Sequence, residues 1–240
     1  MIRRSGIQCV AVLAVAFALS GCIPQAIQEN DSIFEVEGMS EEYRPQLSRV
    51  TLHDSGKITE YPIIYIEELT WNKGLVQNED FARDCSIYIR ERLYIELART
   101  GTFLIVSCNP KCIEKQSEGY RVLSLKQKIT RADYGAGWKR YFQAFIPFLM
   151  LSWPGATDLQ VEGRLYDGSS DIVILDFAAR ERTLGNTIIG PSPHTFKKEY
   201  VMRMTGRNFC VNFAGFIKDL WVKSGGRLRR TANDKEDEKD

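Results

Sequence analysis

The apolar positions in the first half of the chain predict a strand, a long helix and a second strand. Residues 63–66 form a short β-branched and aromatic run, which is typical of a buried strand. Apolar residues then recur every four positions, as on one face of a helix, at Phe81, Cys85, Ile89, Leu93 and Leu97. Asn78 is a candidate cap for this helix, and Gly101 is its predicted end. Residues 102–106 favour a second strand, so the order indicates a βαβ crossover unit.

The second half of the chain predicts strands of a different kind. Apolar and polar residues alternate over residues 123–129 and again over residues 159–165, as in strands with one buried and one solvated face. A turn pattern at residues 167–170 is followed by an apolar segment at residues 172–178. These last two features predict a β-hairpin.

A final helix is predicted to begin between Thr205 and Asn208 and to end at Lys223. Its apolar stripe consists of Phe209, Phe213, Phe216 and Leu220. Together the patterns predict the fold class: an α/β domain with a small mixed sheet and two helices packed on it. In this domain a βαβ unit is followed by a β-hairpin and a C-terminal helix.

The N-terminus has the pattern of a secretory signal. Arg3 and Arg4 precede an apolar run at residues 10–18, which is too short to span a bilayer comfortably. The residues that follow, Leu19-Ser20-Gly21-Cys22, resemble the lipobox of bacterial lipoproteins. The resemblance implies that Cys22 becomes the mature N-terminus and carries about three acyl chains, more than stable anchoring requires. An ordinary signal peptide with a cysteine near its cleavage site is the alternative.

The residue after Cys22 carries a further implication of this resemblance. In lipoprotein sorting, an Asp directly after the acylated cysteine tends to retain the protein in the inner membrane, and here the residue is Ile23. The resemblance therefore implies a protein anchored by its N-terminal lipid in the outer membrane, with its folded part in the periplasm. The membrane itself is then one partner of the chain.

The sequence divides into four predicted segments. They are a lipoprotein signal peptide (1–21), a tether (22–60), a periplasmic α/β domain (61–226) and a disordered charged tail (227–240). Within the tether, Leu47, Val50 and Leu52 alternate with polar residues, which weakly favours a short edge strand.

Composition and charge exclude other classes of protein. The 240 residues, of which 44% are hydrophobic and 26% charged, fit a globular domain rather than a disordered or collagen-like chain. With 32 basic and 31 acidic residues, the formal net charge is +1. Because nucleic-acid binding depends on a basic surface, we expect no nucleic-acid partner.

Four cysteines remain once the signal peptide is removed and Cys22 is assigned to lipid. An even number of cysteines in an oxidising compartment favours disulfides. Cys108 and Cys112 lie in a polar, Pro-containing turn, where a local bridge is sterically allowed. Cys85 and Cys210 lie one on each predicted helix, so a bridge between them requires the two helices to be neighbours.

The sequence has no recognisable pattern of catalytic or metal-binding residues. The Cys-x3-Cys spacing lacks a second pair of zinc ligands, and His53 and His194 are isolated. No recognisable motif places a nucleophile or a carboxylate beside either histidine. We therefore expect no metal, no cofactor and no enzymatic activity.

A dense apolar and aromatic stretch at residues 138–154 is the most unusual segment. It contains two prolines and is too short for a transmembrane helix. Three interpretations remain open: a surface for a protein partner, a contact with the membrane interface, and a cover for the core or sheet edge. The residues that would make the partner or membrane contact are Trp138, Tyr141, Phe145, Phe148, Leu149 and Trp153.

The lipobox and the predicted order of elements resemble small α/β domains of periplasmic lipoproteins. Similar layouts occur in the curli-secretion lipoproteins and in the lipoprotein activators of peptidoglycan synthases, although no functional motif of either family is found in this chain. The resemblance implies a lipid-anchored binding or scaffold protein, accessory to an envelope assembly and bound to a protein partner there. The alternative is a subunit of an oligomeric secretion or export complex that inserts an apolar segment into the membrane.

Overall fold

The computed structural model describes residues 47–71, 79–116, 119–133, 157–183 and 198–229. In these residues the strands are β1 (Arg49–Leu52), β2 (Ile63–Ile66), β3 (Thr70–Trp71), β4 (Ile105–Ser107), β5 (Val122–Asp133), β6 (Thr157–Asp167) and β7 (Val173–Thr183). The helices are a 3-10 helix (Ser55–Glu60), α1 (Glu79–Arg99), α2 (Pro110–Gln116) and α3 (Lys198–Lys223). Both α1 and α3 are long, whereas α2 has 7 residues.

The predicted crossover unit is formed by β2, α1 and β4. The two strands are adjacent and parallel, with Ile64 opposite Val106, so α1 returns the chain along one face of the sheet. Glu79 and Asp80 lie in the first turn of α1, where acidic side chains complement the helix dipole. The helix ends just before Gly101, as the sequence predicts. The mixed α/β class with helices packed on the sheet is therefore confirmed.

The remaining strands form an antiparallel meander. β5 pairs with β6 and β6 with β7, which confirms the predicted hairpin. β1 adds an antiparallel strand beside β7, and the order across the sheet is β1-β7-β6-β5-β2-β4. β3 continues the path of β2 along β5 after a break at residues 67–69. The sheet is consequently parallel on one side and antiparallel on the other.

The core lies between the sheet and the two long helices, which share one face. Phe177 of β7 packs against Phe213 and Phe209 of α3, with ring centroids 4.7 and 6.4 Å apart. Gly163 lies opposite Phe177 on β6, and a Cβ added there would lie 2.6 Å from the phenylalanine ring. The glycine therefore makes room for a ring whose burial stabilises the fold by roughly 1.5–3 kcal/mol.

The folded domain begins earlier than predicted. Residues 47–60 were assigned to the tether, but they form β1 and the 3-10 helix, and Leu47, Val50 and Ile58 are fully buried. The weak alternation around Val50 favoured an edge strand, and this expectation is confirmed. The tether prediction now concerns residues 22–46 alone, which lie outside the described residues.

The last helix is also longer than predicted, since α3 begins at Lys198 rather than between Thr205 and Asn208. Met202 and Thr205 are buried and extend the core-facing stripe towards the N-terminus of the helix. At the other end, the backbone N–H of Arg229 donates to Gly101 O at 2.9 Å, so the fold continues past residue 226. The predicted disordered tail from residue 230 lies outside the described residues.

The face of the antiparallel sheet that points away from α1 and α3 is polar, and it is here named the polar face. The sequence predicts that this face is solvated. Instead, Gln160 and Glu162 of β6 are fully buried and Asp158 is 5% exposed. The prediction was wrong because alternation identifies which side chains share a face, not what covers them. Nearer the hairpin the polar face is accessible, with the Arg164 side chain 43% exposed.

Candidate functional site at one end of the sheet

The two longest chain connections of the domain join strands at one end of the sheet, here named the connection end. β5 ends there, β6 begins there and β7 ends there, so the connections 134–156 and 184–197 both join it. α1 and α3 follow strands that run towards this end, so both helices begin there. The opposite end carries the turn between β6 and β7 and is named the hairpin end. Binding sites of sheet proteins concentrate where connecting segments gather, so the connection end is the candidate functional site.

The chain also enters the fold near the connection end. β1 runs antiparallel to β7, with Val50 opposite Phe177, so residues before β1 lie towards the end of β7. The Arg180 backbone N–H donates to Ser48 Oγ at 3.1 Å, which fixes this entry point. The segment that precedes Leu47 therefore joins the domain on this side.

An ion network crosses the polar face at the connection end. Asp158 of β6 lies between Arg131 of β5 and Arg180 of β7. Arg131 Nε donates to Asp158 Oδ2 at 3.1 Å. Arg180 donates from Nε to Oδ1 at 2.8 Å and from Nη2 to Oδ2 at 2.6 Å. Such a two-point contact holds a guanidinium in one orientation and is stronger than a neutral hydrogen bond.

The members of this network differ in their access to solvent. The Asp158 side chain is 7% exposed, whereas those of Arg131 and Arg180 are 21% and 15% exposed. One buried carboxylate thus lies beneath two partly exposed guanidinium groups. The two guanidinium groups form the positively charged part of the polar face at this end.

A second buried polar group continues the polar face next to this network. Glu162 Oε1 accepts hydrogen bonds from Thr130 Oγ1 at 3.0 Å and from Gln160 Nε2 at 2.9 Å. All three side chains are fully buried. A carboxylate without hydrogen-bond donors has a large free-energy cost of burial. The two contacts reduce that cost for Glu162.

Glu181 is a buried carboxylate on the other face of the connection end. It lies opposite Leu159 in the sheet and faces α3, where Asn212 Nδ2 donates to its Oε1 at 2.8 Å. The residue is 9% exposed. Burial raises the pKa of Glu181 to about 7, and the hydrogen bond from Asn212 offsets only part of that effect. Its charge therefore changes near neutral pH.

The hairpin end carries a buried carboxylate with a much fuller set of donors. Asp167 Oδ2 accepts from Tyr61 Oη at 3.0 Å and from Arg121 Nη2 at 2.6 Å, and Ser169 donates to Oδ1 from its backbone N at 2.9 Å and its Oγ at 2.6 Å. Burial alone would raise the pKa of Asp167, but these hydrogen bonds outweigh it and hold the pKa well below its usual range. This cluster has a structural role, because it ties the hairpin turn to the strand beside it.

The predicted Cys85–Cys210 and Cys108–Cys112 disulfides are not formed in the structure. The two helices are neighbours, as that first pairing requires, but Cys210 Sγ points to Ile89 O at 3.6 Å. Burial raises the pKa of Cys210 well above its ordinary value, so this thiol is unreactive. Cys112 is exposed, whereas Cys108 is half-buried with its Sγ 3.9 Å from Arg90 O.

Several predicted residues lie outside the described ranges and stay predictions. They are the lipidation residue Cys22, the candidate contact residues Trp138, Tyr141, Phe145, Phe148, Leu149 and Trp153, and His194. His53 is described, and its Nε2 lies 3.0 Å from Asp176 Oδ2, to which Arg164 also donates. Among the described residues, no group of three or more His, Cys, Asp or Glu side chains is arranged to hold a metal ion. Over the same residues, no helix is both long and apolar enough to cross a membrane.

Sequence reasoning missed the charged residues of the connection end. Glu181 had a usable signal, because it occupies the position that follows Leu175, Phe177 and Ala179 on the core-facing side of β7. An acid in a core position of a strand is unusual and indicates a perturbed carboxylate. The pairing of Asp158 with two arginines had no such signal, because it depends on the register between three strands.

Comparisons with known proteins give the fold remote counterparts. No protein-family description and no curated protein matches the chain. A PelC dodecamer from Paraburkholderia phytofirmans is 12% identical and is similar over 68% of this chain and 95% of that chain, with a TM-score of 0.42. XCC0632 from Xanthomonas campestris, of family DUF330, is 9% identical over 73% of this chain and 96% of that chain, with a TM-score of 0.40. At these identities and TM-scores the similarities carry no argument about function.

Proposed function

We propose that this chain is a lipid-anchored accessory protein of the outer membrane that binds a protein partner of an envelope assembly through its connection end. The observation that carries the proposal is the meeting of three features at one end of the fold. The chain from the N-terminal lipobox enters there, the long connections join there, and the Arg131–Asp158–Arg180 network lies there.

The geometry supports binding better than catalysis. Catalysis by a carboxylate or nucleophile requires a second group in reach that activates it or shares its proton. Among the described residues, Glu181 has only the Asn212 amide as its hydrogen-bond partner, and the buried Cys210 thiol points to a backbone carbonyl. By contrast, partly exposed arginines held by a buried acid are common at protein interfaces, because little side-chain entropy is lost when they bind.

Site-specific crosslinking in cells would test which end of the domain meets a partner. A photoreactive amino acid is placed at Glu79 or Asn208, which are exposed near the connection end. Matched control positions are Tyr120 and Ile172 at the hairpin end, which are 53% and 48% exposed. We expect a discrete crosslinked protein from the first pair and none from the second. Equal crosslinking from both ends, or none from either, would contradict the proposed surface.

The lipid anchor needs its own test, because it rests on the resemblance of residues 19–22 to a lipobox. Cys22→Ala should abolish acylation and signal processing, so that the uncleaved precursor accumulates in place of the acylated mature protein. Unchanged processing and attachment would contradict the anchor.

The crosslinking experiment also separates the alternative function. A subunit of an oligomeric export complex should crosslink to copies of itself and give a ladder of multiples of the chain mass. An accessory binding protein should give one product with a different protein.

A further inference from the structure

The outward surface of α3 carries an unusual mixture of basic and apolar side chains. Five exposed residues spaced four or seven positions apart share one side of the helix: Arg203, Arg207, Val211, Lys218 and Val222. This set is here named the outer stripe of α3. The two valines are 45% and 51% exposed. Basic residues interleaved with exposed apolar residues are typical of helices that lie on a membrane surface.

The charge of this surface is strongly one-sided. Between Met202 and Lys223, α3 has four basic residues and one acidic residue, Asp219. Among the described residues, no acid lies within ion-pair distance of Arg203 or Arg207. The outer stripe therefore carries three basic side chains and no acidic one.

Helix α1 adds to the same surface near the connection end. Gly206 of α3 lets the helices approach closely, because a Cβ there would lie 3.1 Å from the Tyr88 ring of α1. Arg203 and Arg207 flank this glycine, and Arg92 lies one turn after Tyr88. The charges of these three arginines all act on the Tyr88 hydroxyl. Arg92 forms an ion pair with Glu96, which Arg99 also contacts, so Arg203 and Arg207 of α3 lie beside a paired arginine of α1.

The outer stripe lies on the helix that begins near the point where the predicted tether enters the fold. α3 begins at the connection end, where the chain from Cys22 also enters the fold. Residues 22–46 separate the lipid from the domain and extend to at most roughly 80 Å, so the domain stays close to the bilayer. The tether gives the domain a high local concentration at the membrane. A weak attraction to lipid phosphates is therefore sufficient to orient the domain.

We propose that the outer stripe of α3 docks on an anionic phospholipid surface, with its arginines at the lipid phosphates and Val211 and Val222 between the headgroups. The lipid tether and this second contact together hold the domain in one orientation. This inference rests on the proposed anchor for its biological setting, but the affinity of the stripe for lipid is independent of Cys22.

Vesicle co-sedimentation tests the docking without the anchor. The protein is residues 22–240 with Cys22→Ser, mixed either with phosphatidylcholine vesicles or with phosphatidylcholine vesicles that contain phosphatidylglycerol. We expect binding to the anionic vesicles alone, and a loss of about tenfold in partitioning when Arg203→Gln and Arg207→Gln are combined. Val211→Ser combined with Val222→Ser should weaken binding without changing its dependence on salt.

The matched control has the same change in charge on the opposite face. Lys126 and Lys128 of β5 lie on the polar face, away from α3, so Lys126→Gln with Lys128→Gln should leave vesicle binding within about twofold. An equal loss in both double variants would show non-specific attraction and overturn the proposal, as would no binding of the parent protein. A dimer in sedimentation velocity that only the α3 variant disrupts would assign the stripe to a second copy and also overturn it. If vesicle binding is absent but the crosslinks from Glu79 or Asn208 still form, the docking proposal is contradicted and the proposed function is not.

Discussion

Asp167 and Glu181 are buried carboxylates on the same face of the sheet, but they lie at opposite ends and in opposite environments. Asp167 at the hairpin end receives four hydrogen bonds, one of them from a guanidinium, and its pKa falls. Glu181 at the connection end receives one hydrogen bond from a described side chain, the neutral amide of Asn212, and its pKa rises to about 7. One acid therefore stabilises the fold at neutral pH, whereas the other destabilises it when ionised.

The difference separates the structural end of the molecule from the end that we propose is functional. At the hairpin end each group of the cluster around Asp167 contributes to holding a turn. At the connection end the fold keeps an acid in a position where an apolar residue would be more stable. Proteins commonly give up stability in this way at sites that bind or change state. Four changes test this contrast, and they are taken in order of decreasing expected effect.

Asp167→Ala should have the largest effect on stability. It removes the acceptor for Tyr61, Arg121 and Ser169 together, so we expect a loss of about 3 kcal/mol in the free energy of unfolding at pH 7. Because the folded-state pKa is lowered, the contribution of Asp167 is complete above its unfolded-state pKa near 4 and is lost as the pH falls towards the lower folded-state value. The deficit should therefore shrink in acid, as measured by urea unfolding at several pH values.

The control for this change is Asp54→Ala, which removes an exposed ion pair with Lys57. Surface pairs of this kind contribute at most about 1 kcal/mol. Equal losses from the two variants would remove the distinction between the buried cluster and an ordinary surface contact.

Glu181→Gln should act in the opposite direction. The neutral glutamine keeps the size of the side chain and avoids burying a charge. The folded-state pKa of Glu181 is raised to about 7 from an ordinary value of 4.5, so its contribution is complete below about pH 4.5 and is lost as the pH rises through 7. The variant should match the parent at pH 4 and exceed it by about 2 kcal/mol at pH 8.

Unfolding measured from pH 4 to pH 8 would check this second prediction. The control is Glu91→Gln on the exposed side of α1, where the same substitution removes a charge that is not buried. A Glu181 variant with a difference that does not change with pH would contradict a buried carboxylate titrating near neutrality.

The contrast between the two ends also separates what sequence can predict from what it cannot. The βαβ unit follows from local patterns. Apolar residues at every fourth position, as from Phe81 to Leu97, predict a helix with one buried face. The start of the domain at Leu47 was harder to predict, since β1 has only four residues and gains its stability from pairing with β7. Short edge strands carry too little local signal to define a boundary.

The candidate site was less predictable than the fold for a physical reason. The polar residues of β6 were assigned to a solvated face, yet Gln160 and Glu162 are fully buried. The contact between Asp158 and Arg180 joins residues 22 positions apart, and it depends on the register between β6 and β7. A sequence pattern specifies which residues alternate between the two faces of a strand. The register between strands and the burial of each face are set by tertiary structure.

Gln127→Leu should stabilise the protein by about 1 kcal/mol. Gln127 lies between the two ends, on the core-facing side of β5 opposite Gly163, and is 3% exposed. Within the part of the chain that the structure describes, neither its Nε2 nor its Oε1 has a hydrogen-bond partner, so the amide is desolvated without compensation. The matched control is Gln160→Leu, which removes a donor from the buried Glu162 and should destabilise. Thermal unfolding of both variants checks the opposite signs, and a loss of stability in Gln127→Leu would contradict the unpaired amide.

Asp171→Gly should give the smallest effect, a gain of about 0.5–1 kcal/mol at the hairpin end. Asp171 has a φ of 55° in the turn between β6 and β7, a left-handed conformation that glycine adopts without steric cost. Its backbone N–H donates to Asp167 O at 2.9 Å, and this contact is kept by glycine. The reverse experiment is Gly119→Ala, where φ is 83° and no atom lies within 4 Å of the added Cβ, so backbone strain alone should cost about 1 kcal/mol. Urea unfolding should therefore move in opposite directions for the two variants. If Asp171→Gly instead destabilised the protein, the side chain of Asp171 would belong to the hairpin-end cluster, and that end would owe its stability to more than Asp167 and its donors.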